Sequence, residues 1–150
     1  MRIFEIVNDK FRKTNSEIKL PTRADKGSAG YDFYSPVDFE IKPNETVIIP
    51  TDIKAKMLTN EVLLLFVRSS IGIKKHIVLS NGTGIIDSTY YSNSGNDGNI
   101  CGAFTNLGTE TQYFKAGDRI MQGVFLEYLT TVDDVPLNDE RNGGIGSSGR

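Results

Sequence analysis

The chain has 150 residues, 38% of them apolar, and 17 Lys and Arg against 19 Asp and Glu give a formal net charge of −2. That length fits one domain, and the near balance of charge excludes a generally basic surface for binding nucleic acid. A single cysteine, Cys101, excludes an intrachain disulfide, and a single histidine, His76, leaves too few ligands for a tetrahedral zinc site.

No apolar run approaches the ~18 residues of a membrane span, and the opening MRIFEIVNDKFRK lacks an apolar signal core. These features predict a soluble, cytoplasmic protein. The apolar fraction is low for a chain of this size, so part of it is expected to be stabilised by a ligand or a second chain.

Strand signals dominate from the N-terminus onward. SAGYDFYS places Asp32 beside a tight turn, where an Asp either caps the turn or faces a metal through water. TVIIPTDIKAKM alternates Ile53, Ala55 and Met57 with polar residues and predicts a strand. EVLLLFV is a continuous apolar run, as expected of a strand buried on both faces. Arg68, Ser69 and Ser70 follow it directly. They offer a guanidinium fork and hydroxyls for phosphate oxygens, or simply a turn that starts a short helix.

HIVLSNGTGIID predicts two short strands around Asn81-Gly82, a strong hairpin dipeptide. Backbone groups from Asn81 to Ile86, including Gly84 and Ile85, would present donors and acceptors at fixed spacing to a base edge. Asp87 ends that strand as either a turn former or a general base, and Tyr90 is placed to lie against a sugar or base. YSNSGND, residues 91–97, reads as an exposed loop.

NICGAFTNLG and DRIMQGVFLEYLTTV are further strands, with Pro136 expected to end the last one. Asp118 and Arg119 hold a turn, and Gln122 shares a period-two row with Ile120 and Val124, so its amide needs a partner. The end, ERNGGIGSSGR, is either a flexible tail or an arm. Its glycines can turn amides toward an anion, and Arg141, Ile145, Ser147 and Ser148 supply charge, an apolar cap and hydroxyls. Many short strands between turn residues point to an all-β sandwich, jelly roll or barrel.

AGYDFYS, VRSSIG, NGTGIIDSTY, AGDRIMQ and RNGGIGSSG occur in this order from about Leu20 to the C-terminus. In that set the chain resembles the trimeric deoxyuridine triphosphatase (dUTPase) family, with the Bacillus and phage members nearest in pattern. The resemblance implies a jelly-roll homotrimer that cleaves dUTP to dUMP and pyrophosphate with Mg²⁺ at sites between subunits. It implies a catalytic domain over residues 1–136 and a flexible arm over 137–150 that closes on the nucleotide.

By the same resemblance Asp87 activates the attacking water, and Tyr90 packs on the deoxyribose with no room for a 2′-OH. Asn81, Gly84, Ile85 and Ile86 read uracil, with Ile145 as lid. Arg68, Ser69, Ser70, Gln122, Arg141, Ser147 and Ser148 bind phosphate, and Asp32 sits near the metal's water shell. Ile145 replaces the family's usual Phe, Ser70 its usual Gly, and Tyr91-Ser92 the usual basic residue and Gly, followed by an insertion.

Two other functions fit parts of this pattern. dCTP deaminase shares the fold and an Arg-Ser-Ser segment but uses a Glu base shortly after the third motif, and residues 88–109 contain no Glu. A nucleotide-switched regulator would bind a protein partner through loop 91–97.

Overall fold

In the computed structural model, which describes residues 1–137 and Gly143, the apolar runs become strands of an antiparallel sandwich of jelly-roll type. In chain order these are β1 (Ile3–Ile6), β2 (Thr22–Arg23), β3 (Tyr31–Tyr34), β4 (Phe39–Ile41), β5 (Thr46–Pro50), β6 (Ile53–Lys56) and β7 (Glu61–Val67). The short helix α1 (Ser69–Lys75) follows, then β8 (Ile77–Leu79), β9 (Gly84–Asp87), β10 (Cys101–Asn106), β11 (Gln112–Phe114) and β12 (Arg119–Glu127).

The larger sheet has the order β2-β3-β12-β7-β9 and the smaller one β5-β10-β8, with β1-β6 and β11-β4 as separate pairs. Phe33, Leu63, Leu65 and Met121 from the large sheet and Ile49, Leu79 and Phe104 from the small one form a single buried cluster. The layers approach closely at Gly102 in β10, where a Cβ would lie 3.1 Å from Met121 Sδ in β12.

β7 departs from the prediction of burial on both faces. Leu63 and Leu65 are fully buried, whereas Leu64 and Phe66, on the other face, are only half-buried in the isolated chain. The stretch 46–57 is two strands rather than one. The break is at Asp52, which takes a left-handed backbone (φ 57°). Its buried carboxylate accepts hydrogen bonds from the Lys13 and Thr14 amides, the Thr14 hydroxyl and the Asn99 amide. Burial raises its pKa, but those donors outweigh the effect and hold the carboxyl below the usual aspartate range.

The Asn81-Gly82 turn forms, with Gly82 at φ 74° and its amide donating to the Leu79 carbonyl at 2.9 Å. The strands it joins do not pair with each other. β8 pairs with β10 and β9 with β7, so the chain crosses from the small sheet to the large one. A turn dipeptide sets local backbone angles, not which edge each strand finds. The last strand also ends sooner than predicted, at Glu127. Residues 129–137 carry no strand and are exposed, Leu129, Val132, Val135 and Leu137 among them.

Segment 91–97 exposes Ser92, Ser94 and Gly95, as its composition predicts, but its other side is tied into the fold. Asn93, Asp97 and, just beyond, Asn99 are buried, because their side chains satisfy backbone groups of the loop and of the N-terminal segment. Asp97 accepts from the Asn8 amide at 2.7 Å and forms a buried ion pair with Lys54 at 2.9 Å. Burial raises the Asp97 pKa, yet the Asn8 amide and the Lys54 ammonium leave it lowered overall. Its stabilising effect is therefore present above the ordinary aspartate range and is lost as the pH falls through its lower folded value. Asp97→Asn strands the Lys54 charge in the interior and is expected to cost about 3 kcal/mol in a urea melt at pH 7. A loss below about 0.5 kcal/mol, typical of an exposed pair, would show that the charge is not held as described.

Among the described residues no helix is long and apolar enough to cross a membrane.

Candidate active site

β3, β12 and the end of β7 build the first cleft. Their register sets Gln122 of β12 opposite both Asp32 of β3 and Phe66 of β7. Arg68 is the first residue beyond β7, and Ser69 and Ser70 open α1 with their side chains exposed. The result is an open cleft of about 520 Å³ lined by Gly30, Asp32, Arg68, Ser69, Ser70 and Gln122. A Cβ at Gly30 would fall 2.3 Å from Gln122 Oε1, so a larger residue there would displace the Gln122 amide.

The buried Asp32 carboxylate receives two guanidinium groups, Arg68 Nε at 3.1 Å and Arg119 Nη1 at 3.4 Å. It thereby fixes the direction of Arg68 across the cleft floor. Arg119 was read only as a turn residue. Strand pairing carries it to Asp32, and the one signal in the sequence is its place at the head of a predicted strand. Arg119 also joins Lys19, Lys75 and Arg68 around an adjoining cavity of about 480 Å³, making this end of the molecule strongly cationic.

A second cavity, of about 290 Å³, lies between the sheets where the Asn81 turn crosses. Asn81, Gly84, Ile85, Ile86 and Tyr90 line it, with Leu65 and Leu79 behind and Ile48, Cys101 and Ala103 from the small sheet. Gly84 permits β9 to press on β7, because a Cβ would meet Leu65 Cβ at 2.9 Å. The Thr83 amide folds back onto the Asn81 carbonyl at 2.9 Å, which tightens the rim. Tyr90 is only 4% exposed. Burial pushes the Cys101 thiol up to about 11, so it stays protonated at neutral pH.

Asp87 ends β9 with its side chain exposed, directly opposite Val62 of β7. Arg68 lies six positions further along that strand. At about 3.3 Å per residue their backbone positions are ~20 Å apart. In one chain the phosphate-type residues line one cleft and the nucleoside-type residues another, and the two share no lining residue. The residues assigned to the arm, Arg141, Ile145, Ser147 and Ser148, lie outside the described residues. No group of three or more His, Cys, Asp or Glu side chains capable of holding a metal occurs among the described residues.

Comparison with known proteins agrees with the order of the motifs. The dUTPase family model matches residues 16–149. The chain is 39% identical over 150 residues to the deoxyuridine 5'-triphosphate nucleotidohydrolase of Lactococcus lactis, covering 99% of this chain and 98% of that protein. It is 36% identical over 145 residues to the enzyme of the same name from Haemophilus influenzae, covering 92% of each. Among solved structures, the dUTPase of Streptococcus mutans is similar at a TM-score of 0.76 and 40% identity, over 85% of this chain and 97% of that one. The dUTPase of phage phi11 of S. aureus matches in fold at a TM-score of 0.72 and 22% identity, over 93% of this chain and 98% of that one.

Proposed function

The chain belongs to the dUTPase family and hydrolyses dUTP, and we propose that it does so at a site shared between copies of a homotrimer. The observation that carries this reading is that the Tyr90 cavity and the Arg68 cleft of one chain are separate, with no lining residue in common. A nucleotide bound by one chain's Tyr90 cavity meets the Arg68 cleft of a neighbour.

In this arrangement uracil enters the cavity of one copy, where the backbone from Asn81 to Ile86 complements its edge and the tight walls leave little room for a 5-methyl group. Tyr90 lies against the deoxyribose. Arg68, Ser69, Ser70 and Gln122 of the next copy take the phosphate chain, and Arg119 adds positive charge through Asp32. Asp87 accepts a proton from water as the water oxygen bonds to the α-phosphorus. The bond to the bridging oxygen breaks, and pyrophosphate leaves with the electron pair. Prepositioned charge along the chain of phosphates supplies much of the rate.

Mg²⁺ would be held mainly by the triphosphate rather than by protein carboxylates. Asp32, the one carboxylate lining the Arg68 cleft, faces its water shell. When bound, the ion neutralises phosphate oxygens and orients them. We assign Arg141, Ser147 and Ser148 to the γ-phosphate and Ile145 to the base; these four lie outside the described residues. The half-buried Leu64 and Phe66 and the exposed apolar residues beyond β12 are compatible with cover by neighbouring copies.

Pyrophosphate release from dUTP, dTTP, dCTP and UTP, with and without Mg²⁺, tests this assignment. Release from dUTP with Mg²⁺ is expected to exceed that from the other three by at least about 100-fold, the discrimination available when buried polar groups are left unpaired. Comparable release from dTTP, or ammonia release from dCTP, would overturn it.

A further inference from the structure

We propose that Asn96, in the inserted loop, is a positioning residue that holds Tyr90 against the sugar and so sets discrimination between deoxyribo- and ribonucleotides. This rests on the placement of Tyr90 at the sugar proposed above.

The loop grips Tyr90 at two points. Asn96 Nδ2 donates to the Tyr90 hydroxyl at 2.7 Å, and that hydroxyl donates in turn to the Asn99 carbonyl at 2.9 Å. Asn93 Nδ2 donates to the Tyr90 carbonyl at 2.7 Å and to Asn96 Oδ1 at 2.7 Å. Asn96 Oδ1 also accepts from the Gly98 amide at 3.0 Å, which fixes which side of the Asn96 amide faces the tyrosine.

Gly98 turns the chain back at φ 83°, so tightly that a Cβ would sit 2.7 Å from the Tyr90 carbonyl oxygen. The loop is itself tied to the body of the fold by the Lys54–Asp97 pair and by Asn99 on Asp52. The ring therefore lines the nucleoside cavity while its polar end is anchored away from it. A tyrosine wall excludes a 2′-OH only if it cannot yield. A ring free to slide by a fraction of an ångström would admit the extra oxygen.

The experiment is a double-mutant cycle of Asn96→Ala and Tyr90→Phe in the full-length enzyme. Steady-state kinetics on dUTP and UTP and a thermal melt are recorded for each variant. Each single substitution is expected to raise the KM for dUTP and the UTP:dUTP ratio of kcat/KM by about three- to ten-fold, since each removes the Asn96–Tyr90 hydrogen bond, with Tyr90→Phe, which also loses the bond to Asn99, at the upper end. The change should fall on KM rather than kcat. Because both remove the same anchor, the double variant should be no worse than Tyr90→Phe alone.

If Asn96→Ala lowers the melting temperature while both kinetic values stay at wild type, or if the two effects multiply, Asn96 is only loop structure and the proposal falls. Should Asn96→Ala fail to fold, Asn96→Leu, of similar volume and with no donor for the Tyr90 hydroxyl, takes its place: a raised ratio supports the anchor, and a wild-type ratio, there or in Tyr90→Phe, overturns it. Tyr90→Ala separates this outcome from failure of the parent assignment. A wild-type ratio there would remove Tyr90 from the sugar altogether.

Discussion

Asp87→Asn is expected to reduce dUTP hydrolysis by about 10²–10⁴-fold, the range that a positioned general base contributes, while dUTP still binds. The substitution keeps shape and one acceptor oxygen but removes the group that takes the proton from water. Asp87 sits at the exposed end of β9, and the core packs on Gly84 and Ile86 of that strand rather than on Asp87. The fold should therefore be indifferent to the change. Calorimetric titration with dUTP, together with single-turnover pyrophosphate release, checks both halves. Turnover within about ten-fold of wild type would remove Asp87 from the chemistry, and lost binding would make it a ligand contact instead.

Arg68→Ala should lower kcat/KM for dUTP by about 100-fold, in line with the loss of charge-assisted hydrogen bonds to phosphate. Asp32 keeps Arg119 at 3.4 Å, so the buried carboxylate is not left unpaired and the fold should survive. Arg68→Lys retains charge but loses the fork that spans from Asp32 into the cleft, and an intermediate loss is expected. A mixture makes the stronger test. If each site takes Asp87 from one copy and Arg68 from another, trimers reassembled from equal amounts of Asp87→Asn and Arg68→Ala chains contain about one intact site in four. Activity should return to roughly that fraction of wild type. No recovery after verified subunit exchange would mean that both residues serve a nucleotide within one chain, or none at all.

The two catalytic predictions depend differently on what could be read beforehand. Asp87, Tyr90, Arg68 and Gln122 stand out in the sequence because each is a polar residue at the end or in the row of an apolar strand pattern, within motifs in family order. Their grouping into two half-sites was not legible. It follows from strand pairing, which sends β9 to one edge of β7 and β12 to the other and so lines two separate cavities. Nor was the second guanidinium on Asp32, since Arg119 and Asp32 are 87 residues apart.

The inward-facing side of the insertion was not legible for a related reason. Asn, Ser and Gly are common in solvated loops, but the same side chains can satisfy buried backbone groups when the chain folds back on itself. Asn93, Asn96 and Asn99 do this, and composition cannot distinguish the two uses.

By itself the sequence determined that the protein is all-β, that its strands lie close to where the apolar runs are, and which polar residues are candidates for chemistry. These are local matters, governed by side-chain period, turn preference and residue type. Tertiary structure decided that β8 and β9 part to different sheets, that β12 stops at Glu127, that the inserted loop is packed around Tyr90, and that Asp32 holds two arginines. Each of these is a pairing between distant segments. It is chosen by which arrangement buries the most apolar surface with every interior polar group satisfied, a condition that no short window of sequence contains.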